Sequence, residues 1–287
     1  MNPKQYKQPA GGPGAVTSRR HVVGGAPVLA SAMVAGARQA AAQTKSSYTF
    51  VLIHGAWHGG WCWRDVRKIL QADGHNVFTP TLTGLGERSH LRSAAINVDT
   101  HVLDIANLIT WEELNHVVLV GHSYGGVIVS GVCDRMKSRI AHAIYLDAMA
   151  PKNGDTVLPG GTAEVARARF GELQDGYLAA PPDPNGFGVT DKLADERAWV
   201  LRRMTPHLLG TWTQPVMLPN GGSDGVARTF IYCNDKPAAN AEAERARLAR
   251  FRDDPTWNYR ELPCGHDSMV ILPRETAEMF VSIAGAA

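Results

Sequence analysis

Short apolar segments alternate with segments of helical spacing along the chain, and this alternation constrains the fold more than any other feature. The predicted strands are residues 48–53, 76–80, 115–120, 140–146, 229–233 and 257–262. The predicted helices are residues 63–72, 98–114, 125–136, 240–251 and 275–283. Because the strands are nearly continuous apolar runs, both faces of the sheet should be covered by helices. The sequence therefore predicts an α/β protein with a doubly wound, mostly parallel sheet.

One long segment, residues 151–227, interrupts the alternation. It is rich in Pro and Gly, and it carries a helical pattern at residues 191–204. A structureless loop of that length is implausible in a compact domain. We predict that this segment, called the cap segment below, is inserted between the fourth and fifth strands. The core would then consist of residues 47–150 and 228–287, and a content of 44% hydrophobic residues is sufficient to form it.

The first 46 residues have the composition of an export leader. Arg19 and Arg20 precede a mild apolar run at residues 24–37, and the alanines at residues 40–42 offer a cleavage site between small residues. The paired arginines resemble a twin-arginine signal, which would export the protein already folded. The apolar run is too short and too rich in Gly and Ala to be a stable membrane span. We expect a periplasmic protein, or a cytoplasmic one if the leader is not a signal.

Charge and cysteine content exclude further classes of protein. The net charge of +2 comes with no basic cluster, so no nucleic-acid partner is predicted. The four cysteines have no metal-ligand spacing, and no metal or cofactor is predicted. Cys233 and Cys264 both follow strand ends, where a disulfide is conceivable, but buried thiols are the expected state. The sequence leaves the oligomeric state open.

Residues 121–125 read GHSYG, a G-x-S-x-G motif between the third predicted strand and the next helix. That context is the one the motif requires, because a sharp turn flanked by glycines lets the Ser123 hydroxyl project above the sheet. The positive N-terminus of the following helix points at the same place. The pattern predicts that Ser123 is a nucleophile. The alternative is that Ser123 is only a small residue at a tight turn.

A serine needs a base to become a nucleophile, and His266 is the candidate among eleven histidines. It follows the last predicted strand, in a loop that should open at the carboxyl ends of the strands, beside Ser123. We predict that His266 is this base. A histidine that caps a helix or lies on the surface is the alternative.

Two acids compete to orient the imidazole of His266 and stabilise its cation. Asp147 ends the fourth predicted strand and Asp235 follows the fifth, so both leave the same edge of the sheet. Asp235 lies in an Asn-Asp-x-Pro sequence that also makes a good turn. Asp147 follows an apolar strand, so it should be buried and need a partner. Either could be only a turn or cap acid, and the residues themselves leave the choice open.

Two backbone amides are predicted to bind the oxyanion that forms during acyl transfer. One is that of Tyr124, directly after the serine. The other is that of Ala56, in the loop after the first strand, where residues 54–60 read HGAWHGG. Glycines there let the backbone approach a substrate closely. The loop lacks the Gly-Lys-Ser/Thr ending of a phosphate-binding loop, which argues against nucleotide binding.

Residues 48–284 resemble the α/β-hydrolase superfamily, and residues 50–61 (FVLIHGAWHGGW) and 121–126 (GHSYGG) carry the resemblance. The order of serine first and histidine last is that of the superfamily. The match is closest to small bacterial esterases and to the plant methylesterases and hydroxynitrile lyases. In that branch the acid usually follows the fifth strand, a position that Asp235 resembles but misses by one residue. Lactone hydrolases of the zearalenone type instead take it from the preceding strand, about where Asp147 lies, 24 residues after Ser123.

The resemblance therefore favours Asp147 as the acid, with Asp235 as the alternative. It also favours hydrolysis over cyanide release, because hydroxynitrile lyases place a Lys directly after the catalytic His and this chain has Asp267 there. Haloalkane dehalogenases and epoxide hydrolases use an Asp nucleophile, and Ser123 argues against both.

The sequence is compatible with three functions. The first is a serine carboxylesterase that acts on a small to medium, apolar or aromatic ester through an acyl-enzyme. The second is a lactone or C–C bond hydrolase with the same triad. The third is a ligand-binding member of the fold without turnover, which the complete set of nucleophile, base and oxyanion amides disfavours. In each case the partner is a small molecule.

Overall fold

The computed structural model describes residues 46–235 and 241–286. The predicted leader lies outside these residues apart from Ser46. Six strands form one sheet: β1 (Thr49–Ile53), β2 (Asn76–Phe78), β3 (Val117–His122), β4 (Ile140–Leu146), β7 (Ala227–Cys233) and β8 (Asn258–Leu262). Their order across the sheet is β2-β1-β3-β4-β7-β8, and every pairing in it is parallel. The predicted α/β class with a parallel sheet is confirmed.

Five helices of the core accompany this sheet. They are α1 (Arg64–Ala72), α2 (Val98–Trp111), α3 (Gly125–Met136), α7 (Ala241–Arg252) and α9 (Pro273–Ala284). All five were predicted, with ends that differ by up to three residues. The start of α2 has a local cause, because the Asn97 side chain accepts from the Thr100 amide while the Thr100 hydroxyl accepts from the Asn97 amide. A four-residue helix, α8 (Ser268–Ile271), joins the β8 loop to α9.

The alternation of side chains along β3 separates two apolar layers. Val118 and Val120 pack in one cluster with residues of α1 and α9, such as Phe280. Val117 and Leu119 pack in the other cluster with α2, α3 and part of the cap segment. β3 is buried along its whole length between β1 and β4. Since both faces are covered, the sheet holds the loop at its carboxyl end rigidly, and Ser123 lies in that loop.

The cap segment has short elements. They are α4 (Ala163–Phe170), β5 (Leu178–Ala179), α5 (Ala194–Leu201), β6 (His207–Leu208) and α6 (Gly210–Thr213). β5 and β6 pair as a separate antiparallel sheet. The helix predicted over residues 191–204 is shorter, with a 3₁₀ turn at Asp191–Leu193 before α5.

Three hydrogen bonds fasten the cap segment to Trp57, in the loop after β1. Trp57 N donates to His207 Nδ1 at 3.3 Å, and Trp57 O accepts from Thr205 N at 2.9 Å. The Trp57 indole donates to Ala179 O at 3.2 Å. Because Trp57 is next to Ala56, the cap segment is fixed to the loop predicted to bind the oxyanion.

All four cysteines are buried free thiols. Within residues 46–235 and 241–286, no helix combines the length and the apolar character needed to cross a bilayer.

Candidate active site

Ser123 lies in the turn between β3 and α3 with a φ of 54°, in the left-handed region. Close backbone contacts require the glycines that follow it. A Cβ on Gly125 would lie 2.8 Å from a carbonyl oxygen of β1, and a Cβ on Gly126 would lie 2.1 Å from Met149 O. The Ser123 carbonyl accepts from Met149 N at 3.0 Å, which ties the turn to the chain after β4. The predicted strained turn is therefore present.

His266 and Asp147 are in direct contact. His266 lies between β8 and α8, and its Nδ1 donates to Asp147 Oδ2 at 2.5 Å. Asp147 directly follows β4 with a φ of 43°, and its amide donates to Ile231 O at 2.7 Å. The Asp147 side chain is 1% exposed and that of His266 is 19% exposed. Because Nδ1 holds the proton donated to the carboxylate, Nε2 of the neutral ring is left as the proton acceptor.

Asp235 occupies a different environment. It is exposed, just after β7, and its amide donates to Cys264 O at 3.0 Å. That bond holds the β7 and β8 loops together through the backbone. Of the two candidate acids, Asp147 is the one whose carboxylate contacts the His266 imidazole.

Gly55, the residue before Ala56, lies beside Ser123. A Cβ on Gly55 would be 3.0 Å from Ser123 Cβ, so the backbone that leads into the Ala56 amide is packed against the serine turn. The carbonyl of the peptide that carries this amide, Gly55 O, accepts from His54 Nδ1 at 2.8 Å. His54 Nε2 in turn accepts from Leu82 N at 3.0 Å. Burial, chiefly, lowers the pKa of His54 to about 3, so the ring stays neutral and orients the peptide.

Tyr124, the other predicted oxyanion residue, is buried at the start of α3. Its hydroxyl bonds His101 Nδ1 at 3.0 Å, and His101 Nε2 donates to Thr83 O at 2.9 Å. Burial, chiefly, lowers the pKa of His101 to about 4 and raises that of Tyr124. Both groups are therefore neutral at pH 7. Together they fix the Tyr124 side chain, and with it the start of α3.

One cavity of about 830 Å³ has Ser123, Asp147 and His266 in its wall. Its apolar wall combines core residues with residues of the cap segment: Trp57, Val98, Val127, Met149, Val157, Phe170, Phe187 and Val216. Charged side chains of the cap segment and α7 also border it: Asp155, Arg169, Glu244, Arg247 and Arg250. Trp57 packs edge to face on Phe170, with ring centroids 5.6 Å apart. The cavity combines apolar aromatic surface with a few convergent polar groups, as small-molecule sites do.

Three other large side chains of the cap segment, Trp199, Met204 and Trp212, do not line this cavity. Trp212 is fully buried and packs against Phe170, with ring centroids 4.6 Å apart. Trp199 packs edge to face on Trp61, and Met204 is buried. The aromatic wall comes instead from Trp57, Phe170 and Phe187.

The sequence analysis missed two histidines around the site, His58 and His122. His122 Nε2 donates to the His266 carbonyl at 3.0 Å, and the two rings lie 4.5 Å apart. Burial and repulsion from His266 lower the pKa of His122 to about 3. His58 pairs with Asp267, the residue after His266, at 3.0 Å. Both histidines lie inside the motifs HGAWHGG and GHSYG, but a G-x-S-x-G pattern assigns no role to the residues between its fixed positions.

His122, His266 and Asp267 also place candidate metal ligands within 4.8 Å of one another. Each side chain has a hydrogen bond in this arrangement. His122 donates to the His266 carbonyl, His266 donates to Asp147, and Asp267 accepts from His58. Because His266 contacts Asp147 through Nδ1 and lines the same cavity as Ser123, we interpret its ring as a base and assign no metal to the cluster.

Comparisons with known proteins agree with this architecture. A profile of the Alpha/beta hydrolase family matches residues 50–279. The chain is 39% identical over 244 residues to a carbendazim hydrolyzing esterase from Nocardioides sp. (strain SG-4G). That alignment covers 82% of this chain and 98% of the esterase. It is 26% identical over 271 residues to Methylesterase 10 from Arabidopsis thaliana. That alignment covers 84% of this chain and 94% of the plant protein. An extracellular alpha/beta-hydrolase from a Paenibacillus species superimposes with a TM-score of 0.69 at 23% identity, over 82% of this chain and 98% of that one.

The family profile extends over most of the chain, and it includes Ser123, Asp147 and His266. The six-stranded parallel sheet, with the Ser123 turn after β3, is the fold that the resemblance in the sequence implied. The chain belongs to the alpha/beta hydrolase family.

Proposed function

We propose that the chain hydrolyses carboxylic esters through an acyl-enzyme on Ser123, with His266 as general base and Asp147 as its orienting acid. The observation that carries the proposal is the 2.5 Å contact between His266 Nδ1 and Asp147 Oδ2, in the wall of the cavity that Ser123 also lines. That contact leaves Nε2 to take the serine proton.

The reaction follows from these positions. His266 Nε2 accepts the Ser123 proton as the serine oxygen attacks the ester carbonyl, and Asp147 stabilises the imidazolium that results. The amides of Ala56 and Tyr124 donate to the oxyanion. His266 then gives its proton to the leaving alcohol, and the acyl group remains on the serine. Water, deprotonated by His266, attacks the acyl carbonyl and releases the acid.

Ester hydrolysis is the activity class of the named relatives. The chain is an ester-bond hydrolase by its relationship to a carbendazim hydrolyzing esterase and to plant methylesterases. The predicted esterase class is therefore confirmed. The family's other chemistries, on lactones and C–C bonds, would use the same triad.

The wall of the cavity indicates the kind of ester. Trp57, Phe170 and Phe187 offer aromatic faces, and about 830 Å³ is enough for a drug-sized molecule. We propose small to medium apolar or aromatic esters as substrates. Carbendazim is a candidate because of the 39% identical relative, and methyl esters are candidates because of the plant relatives.

A panel of substrates with mass spectrometry tests the proposal. The panel contains p-nitrophenyl esters of increasing acyl length, aromatic methyl esters, carbendazim and an aromatic lactone. We expect turnover of the esters, with preference for aromatic or medium-length acyl groups. An ester whose acyl-enzyme is hydrolysed slowly should add the mass of its acyl group to the peptide that contains Ser123. Turnover of esters without any acyl adduct would contradict the covalent mechanism, and failure of a fluorophosphonate to label Ser123 would favour a binding protein.

We further propose that residues 1–46 direct export by the twin-arginine route. The support is the Arg19-Arg20 pair before an apolar run and an alanine-rich exit. In a bacterial host, the full chain should appear in the periplasm as a shortened form. Changing both Arg19 and Arg20 to Lys should leave the full-length form in the cytoplasm, whereas Arg38→Lys should not. Equal periplasmic yield from both variants would contradict the proposal.

A further inference from the structure

His58 and Asp267 are buried next to two of the proposed catalytic groups. His58 is two residues after Ala56, and Asp267 directly follows His266. Their side chains are 1% and 0% exposed, and His58 Nε2 lies 3.0 Å from Asp267 Oδ2. This contact joins the loop after β1 to the loop after β8. Neither side chain is part of the cavity wall, so neither is placed to touch substrate.

The hydrogen bonds give the charge state of the pair. His58 Nδ1 lies 2.7 Å from Ala56 O, which can only accept, so Nδ1 carries a proton. The other nitrogen faces a carboxylate, and a proton there makes the ring a cation paired with an anion. Burial opposes charge on His58, but attraction to Asp267 and the hydrogen bond that Asp267 accepts outweigh it and raise the pKa of His58. The same contacts outweigh burial at Asp267 and lower the pKa of its carboxyl group.

The pair holds backbone at both ends. At one end, His58 fixes the Ala56 carbonyl, while His54 fixes the Gly55 carbonyl, so the peptides on both sides of the Ala56 Cα are oriented. At the other end, Asp267 N donates to Phe187 O in the cap segment at 3.0 Å. Because Asp267 directly follows His266, holding Asp267 in place constrains the backbone that carries the His266 imidazole.

We propose that the His58–Asp267 ion pair is a positioning device that holds the oxyanion amide of Ala56 and the imidazole of His266 at a fixed separation. The proposal rests on the esterase mechanism given above. An oxyanion donor and a base on two separate loops both act on one tetrahedral centre, and a shift of about 1 Å between them costs roughly 10²-fold in rate. A link between the two loops keeps both groups in place without taking part in the chemistry.

Three variants test the pair: His58→Gln, Asp267→Asn and the double variant. We expect kcat for a p-nitrophenyl ester to fall by roughly 10- to 100-fold in each, with KM and the affinity for the acid product little changed. A trifluoromethyl ketone analogue of the ester forms a tetrahedral adduct with serine, so its affinity should fall by the same factor as kcat/KM. A residue that only stabilises the fold would not produce this parallel loss. The losses in kcat of the two single variants should not add in the double variant, because both substitutions break the same link.

Asp134→Asn is the matched control. Asp134 is also a buried acid that holds backbone, accepting from Asn220 N at 2.8 Å and from Gly222 N at 2.9 Å, and it is not part of the cavity wall. We expect this variant to lower the thermal midpoint and keep kcat. A single change in the pair leaves one buried charge unpaired, which is strongly destabilising. The double variant removes both charges, so it supplies the kinetic answer if a single variant does not fold.

The outcomes separate the two proposals. If the wild-type protein neither turns over the ester nor forms an adduct with the ketone, the proposed function fails. If the wild type is active and the folded variants keep the kcat and the ketone affinity of Asp134→Asn, the positioning role is refuted and the pair is only structural.

Discussion

Replacing Ser123 by Ala should abolish ester hydrolysis, lowering kcat/KM by at least about 10⁴-fold, because the acyl-enzyme cannot form without the hydroxyl. The residual rate would come from the oxyanion amides and from substrate binding, which the change leaves in place. The substitution removes one oxygen at the cavity wall, so the fold should be retained. Steady-state kinetics with a p-nitrophenyl ester, together with the thermal midpoint, measure both effects.

Ser130→Ala is the matched control for this change. Ser130 is a buried serine in α3, and its hydroxyl contacts Gly126 O at 3.1 Å and the Tyr145 hydroxyl at 2.9 Å, away from the cavity. Its loss should lower stability by about 1 kcal/mol, the usual contribution of a hydrogen bond, and leave kcat/KM unchanged. Retention of substantial turnover in Ser123→Ala would show that another group starts the reaction.

The centre of the sheet could be predicted from the sequence because its strands β1, β3 and β4 are buried on both faces. β3 begins with four apolar residues, and such a run between two helices indicates a central parallel strand. The glycines at residues 121, 125 and 126 mark a turn with no room for Cβ atoms, and the structure shows those close contacts. These features are local, so one sequence is enough to detect them.

The cap segment could not be predicted in the same way, because its elements are too short to show a period. β5 and β6 have two residues each, and their pairing depends on contacts with Trp57 and the core. The helix predicted over residues 191–204 is divided because Thr190 caps a 3₁₀ turn before α5 begins. The shape of the cavity depends on this segment, so the sequence gives little information on substrate.

The polar residues around the site depend on distant contacts. Asp267 entered the sequence argument only as the residue that replaces the Lys of hydroxynitrile lyases. In the structure it is fully buried and bonded to His58, 209 positions away. A buried carboxylate needs a partner, but nothing in the local sequence identifies which of eleven histidines supplies it. The same limit applied to Asp147 and Asp235, since both leave the same edge of a parallel sheet.

Substitution of the acid that contacts His266 should have the second largest effect on turnover, after the loss of Ser123. Asp147→Asn should lower kcat by about 10⁴-fold, because an amide neither stabilises the imidazolium nor keeps the proton on His266 Nδ1. KM should change little, since the ester binds before charge develops on the ring. Kinetics on the same p-nitrophenyl ester, with the thermal midpoint as a check of folding, give the answer.

Asp235→Asn provides the comparison, because it makes the same chemical change at the other predicted acid. Asp235 is exposed and contributes its backbone amide to Cys264 O, a bond that the substitution retains, so wild-type kcat is expected. The reverse pattern, with activity lost in Asp235→Asn and kept in Asp147→Asn, would assign the acid to the strand after the cap segment. The 2.5 Å contact between Asp147 and His266 would then be a structural bond, and the relation to lactone hydrolases that place their acid after β4 would lose its support.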